Sequence, residues 1–126
     1  MSVMREAIAA AAVAPPQLAD MAGKQSFCFS SDFIGFSGHF PDYPILPAVL
    51  QVLLAQLVAE AIFGQPLHVA SLNRAKFIRQ LRPDGKIDVV LDCREQDADL
   101  RCSVTLQVGN EEAASFILTF KQGLVA

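Results

Sequence analysis

One histidine of this chain stands where a proline-rich loop meets the most apolar segment. His39 lies within Gly38–Leu50, whose sequence is GHFPDYPILPAVL, and Pro47 suits the first turn of a following helix. A histidine pKa lies near neutrality, so this side chain can accept and return a proton. Amides in the first turn of a helix lack acceptors within it, and the helix dipole there favours a developing oxyanion. The spacing therefore indicates a base close in sequence to an oxyanion donor.

The apolar segment predicts a single long helix over about residues 46–63. It is apolar on nearly every side, and Gly64 is a stop signal. Its polar residues are Gln51, Gln56 and Glu60. Such a helix either spans a membrane or is enclosed by protein, and a proline together with three polar residues argues against a membrane span. We therefore expect protein to cover most of its surface.

The remaining segments alternate between apolar and polar residues, as strands do. The predicted strands are Gln25–Ser30, Leu67–Arg79, Lys86–Cys93, Leu100–Val108 and Ala114–Lys121, with a linker over Gln17–Gly23. One strand, one long helix and four further strands predict an α+β fold in which an antiparallel sheet wraps around the helix. We expect one domain over residues 1–126, with a helical extension over about residues 1–14 that ends before Pro15.

Composition excludes several classes of protein. The 126 residues are 52% hydrophobic and 18% charged, which excludes disorder, and the net charge of −3 argues against nucleic-acid binding. A small chain with this apolar content is expected to cover part of its apolar surface in an oligomer. Three cysteines without a CxxC motif argue against a disulfide scaffold and predict a reducing, cytoplasmic compartment. Two histidines and no glycine-rich phosphate loop predict neither a metal nor a nucleotide cofactor.

The stretch Gly38–Leu50 resembles the GHFPxxPxxPGVL motif of the 3-hydroxyacyl-[acyl carrier protein] dehydratases, and Ala75–Gly85 resembles their second motif. The resemblance covers about residues 25–93. It implies the hot-dog fold, a dimer or higher oligomer, and acyl carrier protein or another acyl thioester as partner. It also implies His39 as base and the Ala48 amide as oxyanion donor, where the family has glycine.

The acid of the reaction is missing. The family carries Glu or Asp fourteen positions after the histidine, and this chain has Leu53 there. Loss of a positioned acid costs about 10²–10⁴ in rate. Gln56 lies on nearly the same helix face but cannot titrate, and Glu60 lies about 10 Å further along the axis. We expect the substrate tunnel to be lined by Phe40, Pro41, Leu53 and Gln56.

A basic cluster has two open interpretations. It comprises Arg74, Lys76, Arg79, Arg82 and Lys86. It is either a solvated strand face or a docking surface for an acidic carrier protein, for which the first four residues are the candidates.

Three functions remain open. The first is a dehydratase that acts on 3-hydroxyacyl thioesters in fatty-acid, related lipid or polyketide biosynthesis. The second is a non-catalytic subunit that binds the acyl carrier and pairs with another hot-dog protein. The third, a hot-dog thioesterase, is disfavoured because such enzymes generally also use a carboxylate, which position 53 lacks.

Overall fold

A computed structural model describes residues 3–36 and 44–121. In chain order they form helix α1 (Val3–Ala10), strands β1 (Gln17–Ala19) and β2 (Ala22–Cys28), helix α2 (Ala48–Phe63), and strands β3 (His68–Phe77), β4 (Lys86–Gln96), β5 (Asp99–Val108) and β6 (Glu111–Lys121). The strands of these residues build one sheet in the order β1-β2-β4-β5-β6-β3, and every neighbouring pair is antiparallel. One long helix and an antiparallel sheet confirm the predicted fold class.

The alternation along the strands gives the sheet its two faces. On β4, Ile87, Val89 and Leu91 are buried on the inner face, while the residues between them are polar or only partly buried. Strands β5 and β6 repeat this pattern, as expected of a sheet that packs on one side. Helix α2 lies against this inner face, where it contacts β2 and β4.

Helix α2 begins two residues later than predicted and ends where predicted, at Phe63. Gly64 adopts a left-handed conformation with φ of 65° and donates its N–H to the Glu60 carbonyl, which closes the last turn. The helix buries one face, formed by Gln51, Leu54, Ala55, Val58 and Ala59. Its other side is covered less completely within one chain, and Val49 is 73% exposed. Among the described residues, the helices lack the combination of length and hydropathy that a membrane span requires.

The structure contains two features that the sequence did not predict. The predicted linker over residues 17–23 contains β1 and the beginning of β2, which pair as a short hairpin. Strand β1 has three exposed residues and therefore no alternation to reveal it. The cysteine count argued against a disulfide scaffold and did not predict the single bond between Cys93 and Cys102 across β4 and β5. The antiparallel register places them directly opposite each other, and a count of cysteines contains no information about register.

Helix α1 packs its apolar side chains against the core and forms an ion pair with α2. Ile8 is fully buried, and Arg5 Nη1 lies 2.8 Å from Glu60 Oε1. Burial by itself would raise the pKa of Glu60, but the hydrogen bonds from Arg5 and from the Leu67 N–H outweigh it, so the pKa lies below its ordinary value. The ionised carboxylate therefore ties α1 and the beginning of β3 to the end of α2.

We expect Glu60→Gln to lower the free energy of unfolding at neutral pH, because it removes the ion pair with Arg5. The expected loss is only about 1 kcal/mol, because Arg5 is partly solvent-exposed and water screens the interaction. A carboxylate whose pKa is depressed in the folded state stabilises the protein above its unfolded pKa, about 4.3 for glutamate. The stabilisation is lost as the pH falls below that value, through the folded pKa. Urea titrations between pH 7 and pH 3 should show the variant and the wild type converging at the acid end.

The matched control is Glu6→Gln, which removes an exposed carboxylate from α1. It should differ little from the wild type at either pH. A Glu60→Gln deficit that persisted unchanged at pH 3 would show that the ion pair does not carry the stabilisation.

Candidate active site

The N-terminal end of α2 is held in place by four residues before it and by the loop between β3 and β4. The Leu46 N–H donates to the Leu81 carbonyl at 2.8 Å, and Arg82 Nε donates to the Pro44 carbonyl at 3.3 Å. Leu46 and Leu81 are both buried, so the hydrogen bond between them is shielded from water. The loop that follows β3 therefore sets where the first turn of α2 begins.

The first turn offers backbone amides at an exposed position. Pro47 is the N-cap with extended φ and ψ, and it makes no side-chain capping hydrogen bond. Its carbonyl accepts the N–H groups of Leu50 and Gln51 at 3.0 and 3.1 Å. The amide of Ala48 comes before the point at which helical bonding begins, and Ala48 is exposed. An amide there can stabilise negative charge on a bound oxygen, aided by the helix dipole.

Leu53, Gln56 and Glu60 follow along α2, and none of them supplies a free acid. Leu53 is partly buried and packs against the core. Gln56 Nε2 donates to the Leu67 carbonyl at 2.8 Å, so its amide group holds the connection to β3. The carboxylate of Glu60 accepts hydrogen bonds from Arg5 and from the Leu67 N–H. Placement of Leu53 and Gln56 in a substrate tunnel stays a prediction.

Gln51 also holds this end of the helix, a role that the sequence motifs did not predict. This side chain is only 4% exposed, and its Nε2 donates to the Leu46 carbonyl at 3.1 Å. Its Oε1 is buried, and no residue among 3–36 and 44–121 donates a hydrogen bond to it. The sequence carried a signal: an amide within an otherwise apolar helix, four residues after Pro47, is well placed to reach back to the segment before the helix. The hydrogen bond of Gln51 thus also holds the first turn of α2 against the segment before it.

The predicted site residues His39, Phe40 and Pro41 lie outside the described residues, so their roles stay predictions. Among the residues that the structure describes, no group of three His, Cys, Asp or Glu side chains is arranged to hold a metal ion.

The structure divides the basic cluster between two places. Arg79 and Arg82 line a cleft of about 390 Å³ near the loop that anchors α2. Arg79 forms an exposed ion pair of 2.7 Å with Glu111. Arg74 instead lines a different cleft, on the outer face of the sheet. Basic residues that are close in sequence therefore lie on two different surfaces. Between them, the register of β3 with β6 shifts between Asn73 and Lys76, and such an irregularity can redirect side chains.

Comparisons with known proteins agree with this architecture. The family model described as ApeI dehydratase, ApeI-like, matches residues 19–116. The 3-hydroxyacyl-[acyl-carrier-protein] dehydratase FabZ of Bacillus velezensis is 29% identical over 110 residues, which cover 81% of this chain and 77% of that protein. The FabZ of Desulforamulus reducens is 32% identical over 96 residues, which cover 70% of this chain and 68% of that protein.

Solved structures show the same fold. The dehydratase heterocomplex ApeI:P from Xenorhabdus doucetiae superposes with a TM-score of 0.74 at 20% identity, covering 88% of this chain and 96% of that one. A mutant thioesterase from Pseudomonas aeruginosa superposes with a TM-score of 0.62 at 17% identity, covering 81% and 74%. At these identities the superpositions establish the hot-dog fold alone, whereas the family match spans most of the sequence. The chain therefore belongs to the ApeI-like family of hot-dog dehydratases.

Proposed function

We propose that this protein dehydrates 3-hydroxyacyl thioesters presented by an acyl carrier protein. The observation that carries the proposal is the match to the dehydratase family over residues 19–116, which includes the segment with His39 and the first turn of α2. The exposed beginning of that helix supports it, because Ala48 is exposed and the buried hydrogen bond from Leu46 to Leu81 fixes the segment before it.

The proposed reaction is an elimination. His39 takes the proton from C2, and the negative charge that develops on the thioester oxygen is stabilised by the Ala48 N–H. The electron pair then forms the C2–C3 double bond while the C3–oxygen bond breaks. The departing hydroxyl takes a proton from an acid and leaves as water. The methyl group of Ala48 narrows the approach of the thioester but leaves the N–H available.

The acid is the unassigned part of this mechanism. Leu53 packs against the core and cannot donate a proton, and the polar groups further along α2 are committed to Arg5 and Leu67. This observation favours a second candidate function, in which the chain is a non-catalytic subunit that binds an acyl carrier. A partner with the same fold would then supply the complete site.

We expect turnover of a 3-hydroxyacyl thioester by the wild type to be slow and to be abolished in His39→Ala. Leu53→Glu should raise it by up to about two orders of magnitude, because it restores an acid where the family carries one. Burial should raise the pKa of that new carboxyl group and keep it protonated near neutrality. The measurement is the ultraviolet absorbance of the conjugated enoyl product. Leu53→Gln, which adds a polar group of similar size without an acid, is the matched control and should not gain activity.

Two results would change the assignment. Activity that survives His39→Ala would refute the proposed base. A wild type without activity, combined with an active Leu53→Glu variant, would assign the chain to the non-catalytic function.

We propose that Lys76 and Arg79 guide the acidic carrier protein. Lys76 is exposed on β3, and Arg79 lines the cleft close to the loop that positions α2. Arg82 lines the same cleft, but its hydrogen bond to Pro44 also braces the beginning of the helix. It is therefore a poor choice for a test of docking, since its loss would disturb the site itself.

The double variant Lys76→Glu with Arg79→Gln should slow association with acyl carrier protein by about tenfold at low salt, since steering acts on the association rate. The difference should shrink as added salt screens the charges. Surface plasmon resonance at two salt concentrations measures both effects. Lys24→Glu, which reverses an exposed charge on β2, is the control. Equal association rates for the double variant and the wild type at low salt would contradict the docking proposal and indicate that this face is only solvated.

We also propose that β3 pairs with a second chain. All ten of its residues are exposed, and it stands at an edge of the sheet with β6 as its partner in the described part of the chain. Its exposed apolar residues continue into Ile78, which is 60% exposed. A long, apolar edge strand is a site for pairing with another chain. A second copy is the proposed partner, and a homologous hot-dog protein is the alternative.

Leu72→Lys should weaken the dimer by at least about tenfold, because it places a charge in the middle of this edge without touching the core of one chain. Sedimentation velocity at micromolar concentrations measures the change. Leu18→Lys, at an exposed position on the opposite edge strand β1, should leave the dimer intact. A wild type that sediments as a monomer would refute the homodimer and direct the search to a second hot-dog protein.

A further inference from the structure

The outer face of the sheet carries a basic cleft that the proposed dehydration does not use. Its volume is about 380 Å³. Arginines from three strands line it, together with Asp92, Cys93, Ser103 and Ile117. The arginines are Arg74 on β3, Arg94 on β4 and Arg101 on β5. We call these three residues and Ser103 the outer-face cluster.

Two of these arginines stand directly opposite each other. Arg94 and Arg101 are partners in the antiparallel register of β4 and β5, so their side chains leave the sheet on the same face. Like charges at directly opposed positions destabilise a sheet. An anion that bridges the two guanidinium groups would turn this repulsion into an attraction. Ser103 lies two residues further on the same face of β5 and adds a hydroxyl donor.

The third arginine reaches the cleft through an irregular backbone. Arg74 has a φ of 53°, in the left-handed region, and lies within the register shift between Asn73 and Lys76. A non-glycine residue in this region carries a conformational cost, and bulges often redirect a side chain. At this irregularity, Arg74 lines the same cleft as Arg94 and Arg101, although β6 separates β3 from β5 in the sheet.

The charge of the cleft is not balanced by neighbouring carboxylates. The ion pairs and hydrogen bonds found among the described residues include none between these three guanidinium groups and a carboxylate. Asp92 lines the cleft and contributes one negative charge against three positive ones. A net positive charge therefore remains in a concave site whose walls are strands.

We propose that the outer-face cluster binds a phosphate or diphosphate group of a small ligand. Guanidinium groups present paired donors that match phosphate oxygens, and three of them converge here with a hydroxyl group. The volume of about 380 Å³ accommodates a small ligand that carries a phosphate group. An acidic protein surface would instead spread its carboxylates over a wider and flatter area. The proposal requires no dehydratase chemistry, so it stands or falls independently of the proposed function.

The test is isothermal titration calorimetry of the full chain with pyrophosphate at low ionic strength. We expect saturable binding with one site per chain. Arg101→Gln and Arg94→Gln should each weaken it by about tenfold or more, the effect expected for loss of a hydrogen bond to a charged group. Lys24→Gln removes the same charge from an exposed position on β2 and should leave binding unchanged. Adenosine 3′,5′-bisphosphate in a parallel titration distinguishes the source: tighter binding than pyrophosphate indicates a nucleotide, and weaker binding indicates a free inorganic anion.

Thermal melting without the anion gives a second measurement. Arg94→Gln and Arg101→Gln should melt at the same temperature as the wild type or higher, because each relieves the opposed pair. Absence of pyrophosphate binding by the wild type, or equal binding by the wild type and both arginine variants, would overturn the proposal. It would also be overturned if an acidic carrier protein bound in an Arg101-dependent manner while pyrophosphate did not bind.

Discussion

Helix α2 can bury only one face against the sheet of its own chain, and much of the molecule is arranged around that limit. The buried face contributes the side chains of Leu54 and Val58, each worth about 1.5–3 kcal/mol when removed from water. The rest of the helix is also apolar, so it needs further cover. Helix α1 provides part of that cover with Ile8 and with the ion pair between Arg5 and Glu60. The exposed edge strand β3 offers a surface through which a second chain could add to the assembly.

The same packing fixes the position of the helix N-terminus. Buried hydrogen bonds from Leu46 to Leu81 and from Gln51 to Leu46 connect the segment before the helix to the loop after β3. These bonds lie in a poorly solvated region, where breaking one leaves a polar group without water. The first-turn amides are therefore preorganised, which is what stabilisation of an oxyanion requires. In this fold, the beginning of α2 owes its position to residues that take no part in the proposed chemistry.

The two faces of the sheet have different chemistry because strand side chains alternate. The inner face holds the core and the disulfide between Cys93 and Cys102, while the neighbouring positions carry the opposed pair Arg94 and Arg101. A solvated sheet face has no packing requirement, so charged residues that repel each other there point to a role other than stability.

Regular apolar patterns along the chain predict the helix and the main strands: all-round for α2, alternating for β4, β5 and β6. Its motifs also indicated the dehydratase family and the candidate residues His39 and Ala48. The contacts between distant residues follow from the folded chain and not from these patterns. The Cys93–Cys102 bond, the Arg94–Arg101 pair and the Arg5–Glu60 contact all depend on register or on helix docking. Local periodicity reports which face of an element is buried, but it carries no information on what lies opposite, because that is set by packing between segments distant in the chain.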